Sequence, residues 1–487
     1  MAAKIRAWLI LVLPKMFSKR NIVIILALIV LAGGGLLCIN LNQIRNNIFV
    51  GGNRVVPLPI TTPSSNTPLP SPTPVDNSYN ILLLGYGGGN HDGAYLTDSI
   101  MLAHIEPKYQ EAVIISIPRD VWVKIPISTN EGEYHKINAA YEIGMSDIQY
   151  PQKAELFMGK AGGGNLAKYA VEQITGLPIQ KFVAIDFDGF TKTIDLLGGV
   201  DINVDVAFED TKYPIEGKEK DLCGHTEAEL PELVKIAVKT PEIAFPCRYE
   251  KLHFEKGLQH MDGTTALKYV RSRHSPQDGT DFGRSRRQRN LLLAVKQKII
   301  SLGFIPKIVP FVSSLQNDLK TDLSMEDINN LVSQADLLSK YQIRSLAITD
   351  QNFLVNTFSE DNQAILQSAD GQDNWDSLRE WLNLSFDPER AKNTPYVKIN
   401  NCSQGGVESE TVVNNLKNKS VHLLPINDKC TKNIKQTTIT SYGESVNMEI
   451  VDLLKQRLGV EKVTNKAVSD TAFDIQVDIG TNAPNIQ

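Results

Sequence analysis

The sequence predicts an α/β protein with two globular units. Short apolar runs bounded by turn residues alternate with amphipathic helical stretches, a pattern typical of layered α/β domains. The pattern is interrupted by a polar stretch after about residue 350 and resumes near residue 394, which indicates a second, smaller α/β unit. The 487 residues are enough for both units, and a content of 42% hydrophobic and 22% charged residues is typical of globular proteins.

Charge is distributed unevenly along the chain. Seven lysines and arginines and no acidic residue precede Asp76, whereas the rest of the chain has a net charge of −12. Such an acidic body lacks the basic face that meets phosphates in general nucleic-acid binding, so we expect no nucleic-acid partner.

The N-terminal region predicts a membrane anchor. Ile22–Ile39 is an unbroken apolar run of 18 residues, preceded by Lys15, Lys19 and Arg20. The positive-inside rule therefore predicts a basic cytosolic tip (1–21), a transmembrane signal anchor (22–44) and an extracytoplasmic body in the cell membrane. A cleaved signal peptide is the alternative, although the run is long for one and no small-x-small cleavage site follows promptly.

A stalk follows the predicted anchor over residues 45–78. Its second half is rich in proline, serine and threonine, a composition that cannot bury a core and favours extended polyproline II structure. We expect the stalk to hold the body away from the membrane.

The first globular unit is predicted over residues 79–350, with an inserted acidic loop over 213–247. Glycines and prolines set the limits of most of its elements. The predicted strands are Ile81–Leu84, Ser99–Ile105, Ala112–Ile117, Phe182–Phe187 and Val200–Val206, and the predicted helices are Asn165–Thr175, Phe190–Leu197, Arg286–Leu302 and Ser324–Ser339.

A polar connector (351–393) and a second small unit (394–482) complete the body. The pattern of the second unit is βαβ followed by αβ. Its predicted elements are strand Tyr396–Asn400, helix Glu408–Leu416, strand Val421–Leu424, helix Glu444–Leu458 and strand Phe473–Ile479.

The exported cysteines form two local pairs, Cys223 with Cys247 and Cys402 with Cys430. In an oxidising compartment such pairs predict disulfides. A zinc site made from Cys223, His225, Cys247 and His253 is the alternative, although no CxxC spacing supports it.

The strongest chemical signal is an arginine-rich segment without lysine, Arg271–Arg289. Guanidinium groups form planar, bidentate contacts with phosphate or carboxylate, so their exclusive use here favours an anion site. Arg284 and Arg287 share one face near the start of a predicted helix, where free N–H groups also favour an anion. The alternative is a solvated arginine face, with Asp278 and Asp281 forming internal salt bridges.

Three shorter motifs carry further candidates. In SIPRD, Arg119 and Asp120 follow an apolar strand, at the position where α/β sheets keep their sites. In TDSIML, Asp98 could hold a hard cation such as Mg²⁺ or act in a turn. In KINAAY, Lys136 and Asn138 are able to contact a phosphate or a sugar. The glycine-rich GYGGGN turn lacks the lysine and spacing of a nucleotide loop, which excludes that interpretation.

Taken in order, the blocks NILLLG, TDSIML, SIPRD, KINAAY, LLGGVDI, GxxxxDGxxALKYVRSR and DFGRSRRQ resemble the LytR-CpsA-Psr family of cell-envelope proteins. The resemblance covers Asn80–Ser339, and the module Tyr396–Gly480 is similar to the LytR C-terminal domain. It implies an α-β-α sandwich with a mixed sheet, an apolar pocket for a polyprenyl lipid, and transfer of a glycopolymer from a polyprenyl-pyrophosphate carrier to peptidoglycan.

The resemblance also implies roles for individual residues. The pyrophosphate is expected to contact the arginines Arg119, Arg271, Arg273 and Arg284 together with Gln288. We add Lys136, Asn138 and Arg287 as substrate contacts. Asp120 and Asp281 are candidates for the general base.

Two departures from the family pattern concern the metal. Members carry an aspartate two residues after the LLG turn, where this chain has Gly87, and an arginine where it has Leu96. Only Asp98 therefore matches the implied pair of Mg²⁺ ligands, and we consider Asp92 as a replacement for the missing one.

The sequence thus predicts an extracytoplasmic phosphotransferase that releases polyprenyl phosphate, with pyrophosphatase as a side activity. The alternative is a non-catalytic envelope protein that binds lipid-linked glycan or wall polymer. A transcriptional regulator is a third hypothesis, which an exported acidic body disfavours.

Overall fold

A computed structural model describes most of the chain after residue 77. The described residues are 50, 78–89, 93–279, 281–301, 315, 318–324, 326–328, 330, 340–350, 352–387, 394–403, 416, 421–424, 430, 434–442, 448–460, 463–466 and 473–482. The predicted cytosolic tip, anchor and most of the stalk lie outside them, as do Asp92, most of the predicted helices Ser324–Ser339 and Glu408–Leu416, and the side chain of Asp281.

The first unit contains fourteen described strands and eight described α-helices. The strands are β1 (Tyr79–Tyr86), β2 (Thr97–Glu106), β3 (Glu111–Ile117), β4 (Trp122–Pro126), β5 (Gly132–Lys136), β6 (Lys181–Asp186), β7 (Val200–Val204), β8 (Phe208–Pro214), β9 (Tyr249–Phe254), β10 (Gly257–Met261), β11 (Leu319–Thr321), β12 (Gln342–Ala347), β13 (Leu354–Phe358) and β14 (Ala364–Ser368). The helices are α1 (Ala139–Met145), α2 (Gly162–Thr175), α3 (Phe187–Leu196), α4 (Leu230–Ala237), α5 (Pro241–Ala244), α6 (Gly263–Arg271), α7 (Asp281–Ser301) and α8 (Asp376–Ser385).

A six-stranded mixed sheet forms the centre of this unit. Its order is β11-β6-β1-β2-β3-β12. Strands β1, β2 and β3 are antiparallel neighbours, whereas β6 runs parallel to β1 and β12 runs parallel to β3. The mixed α/β fold with a central mixed sheet is therefore confirmed.

Side chains alternate along each strand, so the sheet presents apolar residues on both of its faces. Both faces are covered. On one face Leu82, Leu84 and Leu102 pack in a large core that includes residues of α1, α2 and α8. On the other face Leu83 and Met101 lie close to Leu292 of α7. Helices α3, α6 and α7 form a second apolar cluster with β7 and β8 beyond this face.

Residues 352–387 are more ordered than the predicted polar connector. They form the hairpin β13–β14 and helix α8, and Leu354, Trp381 and Leu382 are buried in the main core. Strand β12, just before them, is the edge strand of the central sheet next to β3. Exposed polar residues are interspersed with the buried apolar ones in this segment, so its sequence did not predict these elements.

The second unit has a five-stranded mixed sheet of order β16-β15-β19-β17-β18. Its elements are β15 (Tyr396–Asn401), β16 (His422–Leu423), β17 (Thr438–Tyr442), α9 (Met448–Leu458), β18 (Val463–Lys466) and β19 (Ile475–Ile479). Helix α9 packs on this sheet through Ile450, Val451 and Leu454. The short, polar strands β17 and β18 were not predicted from the sequence.

The acidic insertion carries α4 and α5 and is closed by a cysteine pair. The sulfurs of Cys223 and Cys247 are 2.07 Å apart, and those of Cys402 and Cys430 are 1.94 Å apart. His253, part of the alternative zinc set, pairs instead with Glu209 and Glu255. This geometry favours disulfides.

Peptide mass mapping of the non-reduced protein is expected to give the linked pairs Cys223–Cys247 and Cys402–Cys430. Each bond closes a loop of more than twenty residues, so each should stabilise the fold by about 3 kcal/mol in the chain-entropy model. Free thiols at these positions, or zinc bound in a one-to-one ratio, would contradict the pairing.

Within the described part of the chain, no helix has both the length and the apolarity needed to cross a membrane. The predicted anchor lies outside that part.

Candidate functional site

A cavity of about 500 Å³ lies between the central sheet and the helices α3, α6 and α7. Strands β1, β2 and β6 present alternate side chains to it, and the three helices supply the opposite wall. Its lining includes the aliphatic and aromatic residues Leu83, Leu84, Met101, Val183, Ile185, Phe187, Phe190, Leu267, Val270, Leu291 and Leu292.

The mouth of the cavity is strongly polar. Arg119 follows β3, Arg271 is the last residue of α6, Arg273 lies two residues further on, and Arg284 is in the first turn of α7. All four arginines line this one cavity, although they are up to 165 positions apart in the chain. The structure thus brings together the arginines that the sequence analysis selected.

Two rings hold Arg271 in place. Its guanidinium carbon lies 3.8 Å from the centroid of the Phe187 ring and 5.8 Å from that of Tyr213. Its Nη1 is 3.4 Å from the hydroxyl of Tyr213. Stacking on aromatic faces is a property of guanidinium that an ammonium group does not share, so this position favours arginine over lysine.

Asp210 fixes the loop that carries Arg273. Its buried carboxylate accepts hydrogen bonds from the Ser272 hydroxyl at 2.6 Å and from the backbone N–H groups of Arg273 and His274, both at 3.1 Å. Burial alone would raise the pKa of Asp210, but these bonds and one from the Lys212 N–H lower it. Asp210 is therefore ionised, and it was not selected from the sequence.

Arg287 has a different position from the one expected. It is 1% exposed, lies outside the cavity lining, and uses its donors on the protein. Its guanidinium donates to the carbonyls of Tyr269 (2.9 Å), Ser272 (2.5 Å) and Asp278 (2.6 Å), and to the Asp278 carboxylate (2.7 Å). These contacts make it a structural support of the Arg273 loop and contradict the expected substrate contact.

Arg119 is the centre of a chain of alternating charges. It pairs with Asp98 on one side, and its Nε lies 3.5 Å from Asp120 on the other. Asp120 in turn accepts from Lys136 Nζ at 2.8 Å. Burial would raise the pKa of Asp120, but the Lys136 hydrogen bond and the charges of Arg119, Lys136 and Arg273 lower it. A carboxylate held so firmly ionised is a weak general base.

Asp98 lies at the mouth of the cavity, where a metal was expected. The described residues around it do not form a complete magnesium site: Gly87 has no side chain, and Asp98 is already paired with Arg119. The carboxylate of Asp92, the other expected metal ligand, lies outside the described part, as does that of Asp281, a candidate general base. Because Mg²⁺ often binds through one or two carboxylates and the phosphates of a substrate, Asp98 fits an ion that arrives with a phosphate ligand.

The remaining predicted substrate contacts line two separate spaces. Gln288 lines the cavity and donates to the Ser99 hydroxyl at 3.2 Å. Lys136, Asn138 and Asp120 line a separate cleft of about 850 Å³, which we call the outer cleft. Arg119 lines both spaces.

Asp186 is a cavity residue that the sequence analysis missed. It ends β6 and caps α3, with one carboxylate oxygen accepting from the Gly189 N–H at 2.8 Å. Burial, together with the charges of Asp318 and Asp188, raises its pKa. The glycine-rich turn after β1 passes close to it: a Cβ at Gly88, where φ is +76°, would lie 2.9 Å from the Cβ of Asp186. An aspartate at the end of a parallel strand was a signal that could have found it.

Comparison with known proteins identifies the family. A model of the LytR_cpsA_psr family matches residues 61–374, which is more than half of the chain. The chain belongs to the LytR-CpsA-Psr family. The resemblance found in the sequence motifs is therefore confirmed, and the match includes the whole cavity and the outer cleft.

Relatives within the family are named as transferases. The polyisoprenyl-teichoic acid–peptidoglycan teichoic acid transferase TagU of Enterococcus faecalis is 25% identical over 256 residues, which cover 52% of this chain and 64% of that protein. TagV of Bacillus subtilis, with the same activity in its name, is 27% identical over 231 residues, covering 47% of this chain and 46% of the relative. The matched part thus spans between about half and two thirds of these relatives.

Solved structures of similar proteins include TagV of Bacillus subtilis. It is 24% identical, with a TM-score of 0.42, and the match covers 63% of this chain and 96% of that one. A structure of TagT bound to LI-WTA is 20% identical with a TM-score of 0.38, covering 63% and 90%.

Proposed function

We propose that this protein transfers a glycopolymer from a polyprenyl-pyrophosphate carrier to peptidoglycan and releases polyprenyl phosphate. One observation carries the proposal: four arginines line a single cavity together with many apolar side chains. A lipid pyrophosphate has the complementary features, an apolar chain next to a concentrated negative charge. The names of the relatives, which contain polyisoprenyl, teichoic acid and peptidoglycan, support the same substrate classes.

The arginines are suited to the charge of a pyrophosphate. Bidentate guanidinium–phosphate contacts are charge-assisted and fix the orientation of the anion. The apolar wall excludes water on the lipid side, which strengthens these contacts as negative charge develops on the leaving phosphate. Arg271 also contacts the Phe187 ring and the Tyr213 hydroxyl, so less side-chain entropy remains to be lost on binding.

In the proposed reaction, a sugar hydroxyl of peptidoglycan attacks the phosphorus next to the transferred glycan. A new oxygen–phosphorus bond forms, and the bond from this phosphorus to the bridging oxygen breaks. Polyprenyl phosphate leaves with that oxygen, and the proton of the hydroxyl passes to a base. Attack by water in place of the sugar hydroxyl would give the pyrophosphatase side activity.

Magnesium remains part of the proposal. Asp98 would hold the ion jointly with oxygens of the pyrophosphate, and the ion would neutralise part of the phosphate charge when bound. The arginines orient the same phosphates and stabilise the leaving group.

The base that takes the proton is proposed to be Asp186. It lines the cavity, and its raised pKa makes it a better proton acceptor than Asp120, whose pKa is lowered. Since the deprotonated form is the active one, activity should fall as the pH drops through the pKa of Asp186, which burial raises above the ordinary value for aspartate.

Replacing Asp186 with asparagine is expected to reduce transfer by about 10²-fold, in the range for loss of a general base. Asparagine keeps the cap on α3, since its side-chain oxygen can still accept from the Gly189 N–H, so the melting temperature should change little. The pH–rate profile of the purified protein tests this directly. Full activity in the variant, with an unchanged acid limb, would exclude Asp186 as the base.

The reaction is tested by incubating the full-length protein with a polyprenyl-pyrophosphate glycan and peptidoglycan. We expect polyprenyl phosphate to be released in step with the incorporation of glycan into peptidoglycan. The alternative function, a non-catalytic envelope protein that binds lipid-linked glycan, is favoured by Gly87 and by the Arg119–Asp98 pair: among the described residues, the one expected metal ligand is already paired. Tight binding of the donor without release of polyprenyl phosphate would establish that alternative.

The location is also proposed. The charge asymmetry around Ile22–Ile39 supports a single-pass membrane protein with a cytosolic N-terminus and an extracytoplasmic body.

A further inference from the structure

The outer cleft lies beside the mouth of the cavity but has a different chemistry. The hairpin β4–β5 forms one of its walls, the hairpin β13–β14 forms the other, and Arg119 separates it from the cavity. The cavity is mainly aliphatic, whereas the outer cleft is lined by aromatic and amide side chains, among them Trp122, Tyr134, Gln363, Gln367 and Gln372.

The aromatic side chains of the cleft form a platform. Trp122 and Tyr134 lie on the same face of the β4–β5 hairpin, with ring centroids 6.3 Å apart and ring planes only 15° from parallel. The Tyr134 hydroxyl donates to Asp373 across the cleft, which fixes the ring. Phe358, 69% exposed, lies on the opposite hairpin. Partly exposed parallel rings of this kind suit the electropositive C–H faces of pyranose sugars, because an aromatic face is electron-rich.

The polar side chains of the cleft are suited to a neutral ligand. A glutamine amide carries both donors and an acceptor, which matches hydroxyl and N-acetyl groups; that of Gln363 also donates to Asp361 at 2.6 Å. The Lys136 ammonium is paired with Asp120 at 2.8 Å, and Glu360 and Asp361 add negative charge on the far wall. These charges oppose a polyphosphate or other polyanion in the cleft.

From this juxtaposition we propose that the outer cleft is the acceptor subsite, which binds a neutral N-acetylated glycan strand and presents a sugar hydroxyl next to Arg119. The assignment rests on the proposed function and extends it to the second substrate. Both the acceptor glycan and the first sugars of the donor have pyranose chemistry, so the experiment must separate the two sources.

The test measures binding to the full-length protein of two probes. One is a peptide-free glycan fragment of peptidoglycan, and the other is a polyprenyl-pyrophosphate glycan. Trp122→Ala is expected to weaken binding of the free glycan at least tenfold and to leave binding of the lipid-linked glycan within twofold of the wild type. Gln372→Ala, at an exposed position whose side chain also hydrogen-bonds Tyr134, is expected to weaken free-glycan binding several-fold. Tyr109→Ala removes an aromatic ring at the far end of β2 and β3 and serves as the matched control.

Each outcome decides the proposal. Loss of free-glycan binding in both cleft variants, with no change in the control, supports the acceptor subsite. If Trp122→Ala weakens the lipid-linked glycan and not the free one, the cleft serves the donor and the assignment is overturned. It is also overturned if the wild type binds no free glycan at millimolar concentration, or if both cleft variants bind it like the control. Failure of the transfer reaction itself would appear separately, as an absence of polyprenyl phosphate release with glycan binding intact.

Discussion

Replacing Arg273 with lysine should reduce the rate of glycan transfer by about 10²-fold or more, equivalent to about 3 kcal/mol of transition-state stabilisation. Lysine keeps the positive charge but loses the planar fork that makes two parallel bonds to a phosphate. The loss should therefore fall mainly on turnover, with a smaller loss in donor binding of about 1–3 kcal/mol.

The position of Arg273 explains why its geometry should matter. Its backbone N–H is fixed by Asp210, its loop is supported from below by Arg287, and its charge acts on Asp120 at the border of the outer cleft. The control is Arg457→Lys on the exposed side of α9, which should behave like the wild type. An Arg273→Lys protein that turns over normally would remove the arginine cluster from the reaction.

Lysine in place of Arg287 should mainly reduce the stability of the protein, whereas lysine in place of Arg273 should mainly reduce turnover. Arg287→Lys is expected to lower the free energy of unfolding by about 3 kcal/mol, because one ammonium group cannot reach the three carbonyls and the carboxylate that the guanidinium now holds. In a unit of this size the melting temperature should fall by roughly 5 °C, measurable by calorimetry.

Arg286 provides the control for this change. It also contacts Asp278, but it is half-buried and lies outside the cavity, so Arg286→Lys should cost less than about 1 kcal/mol. If Arg287→Lys melts like the wild type and instead loses donor binding, Arg287 contacts the substrate as the sequence suggested.

The contrast between Arg273 and Arg287 shows where sequence reasoning stops. Both belong to one arginine-rich segment, and residue type and spacing gave no basis for assigning one to the cavity and the other to the protein interior. That difference is produced by Asp278, which folds back to bind Arg287, and by Asp210, which reaches the Arg273 loop from more than sixty residues away. Contacts of this kind depend on the tertiary fold.

Local patterns, by contrast, were sufficient for the central elements. The apolar alternation of β1, β2 and β3 and the glycine after α2 predicted those elements to within a few residues. Strand β12 was missed because it pairs with β3, more than two hundred residues earlier. The hairpin β13–β14 pairs locally, but its Leu354 and Leu366 are buried in the main core formed by distant parts of the chain. One wall of the outer cleft is the β13–β14 hairpin, so the cleft could not be predicted from the sequence.

Arg119 contributes to the walls of both the cavity and the outer cleft, and this has a thermodynamic consequence for the order of events. On the proposed function, a pyrophosphate that drew this guanidinium away from Asp98 and Asp120 would change the electric field in the neighbouring cleft before any bond is broken. The two proposed ligands would then be linked: the factor by which the donor changes the affinity for the acceptor would equal the factor by which the acceptor changes the affinity for the donor. One shared side chain would thus couple the two binding events.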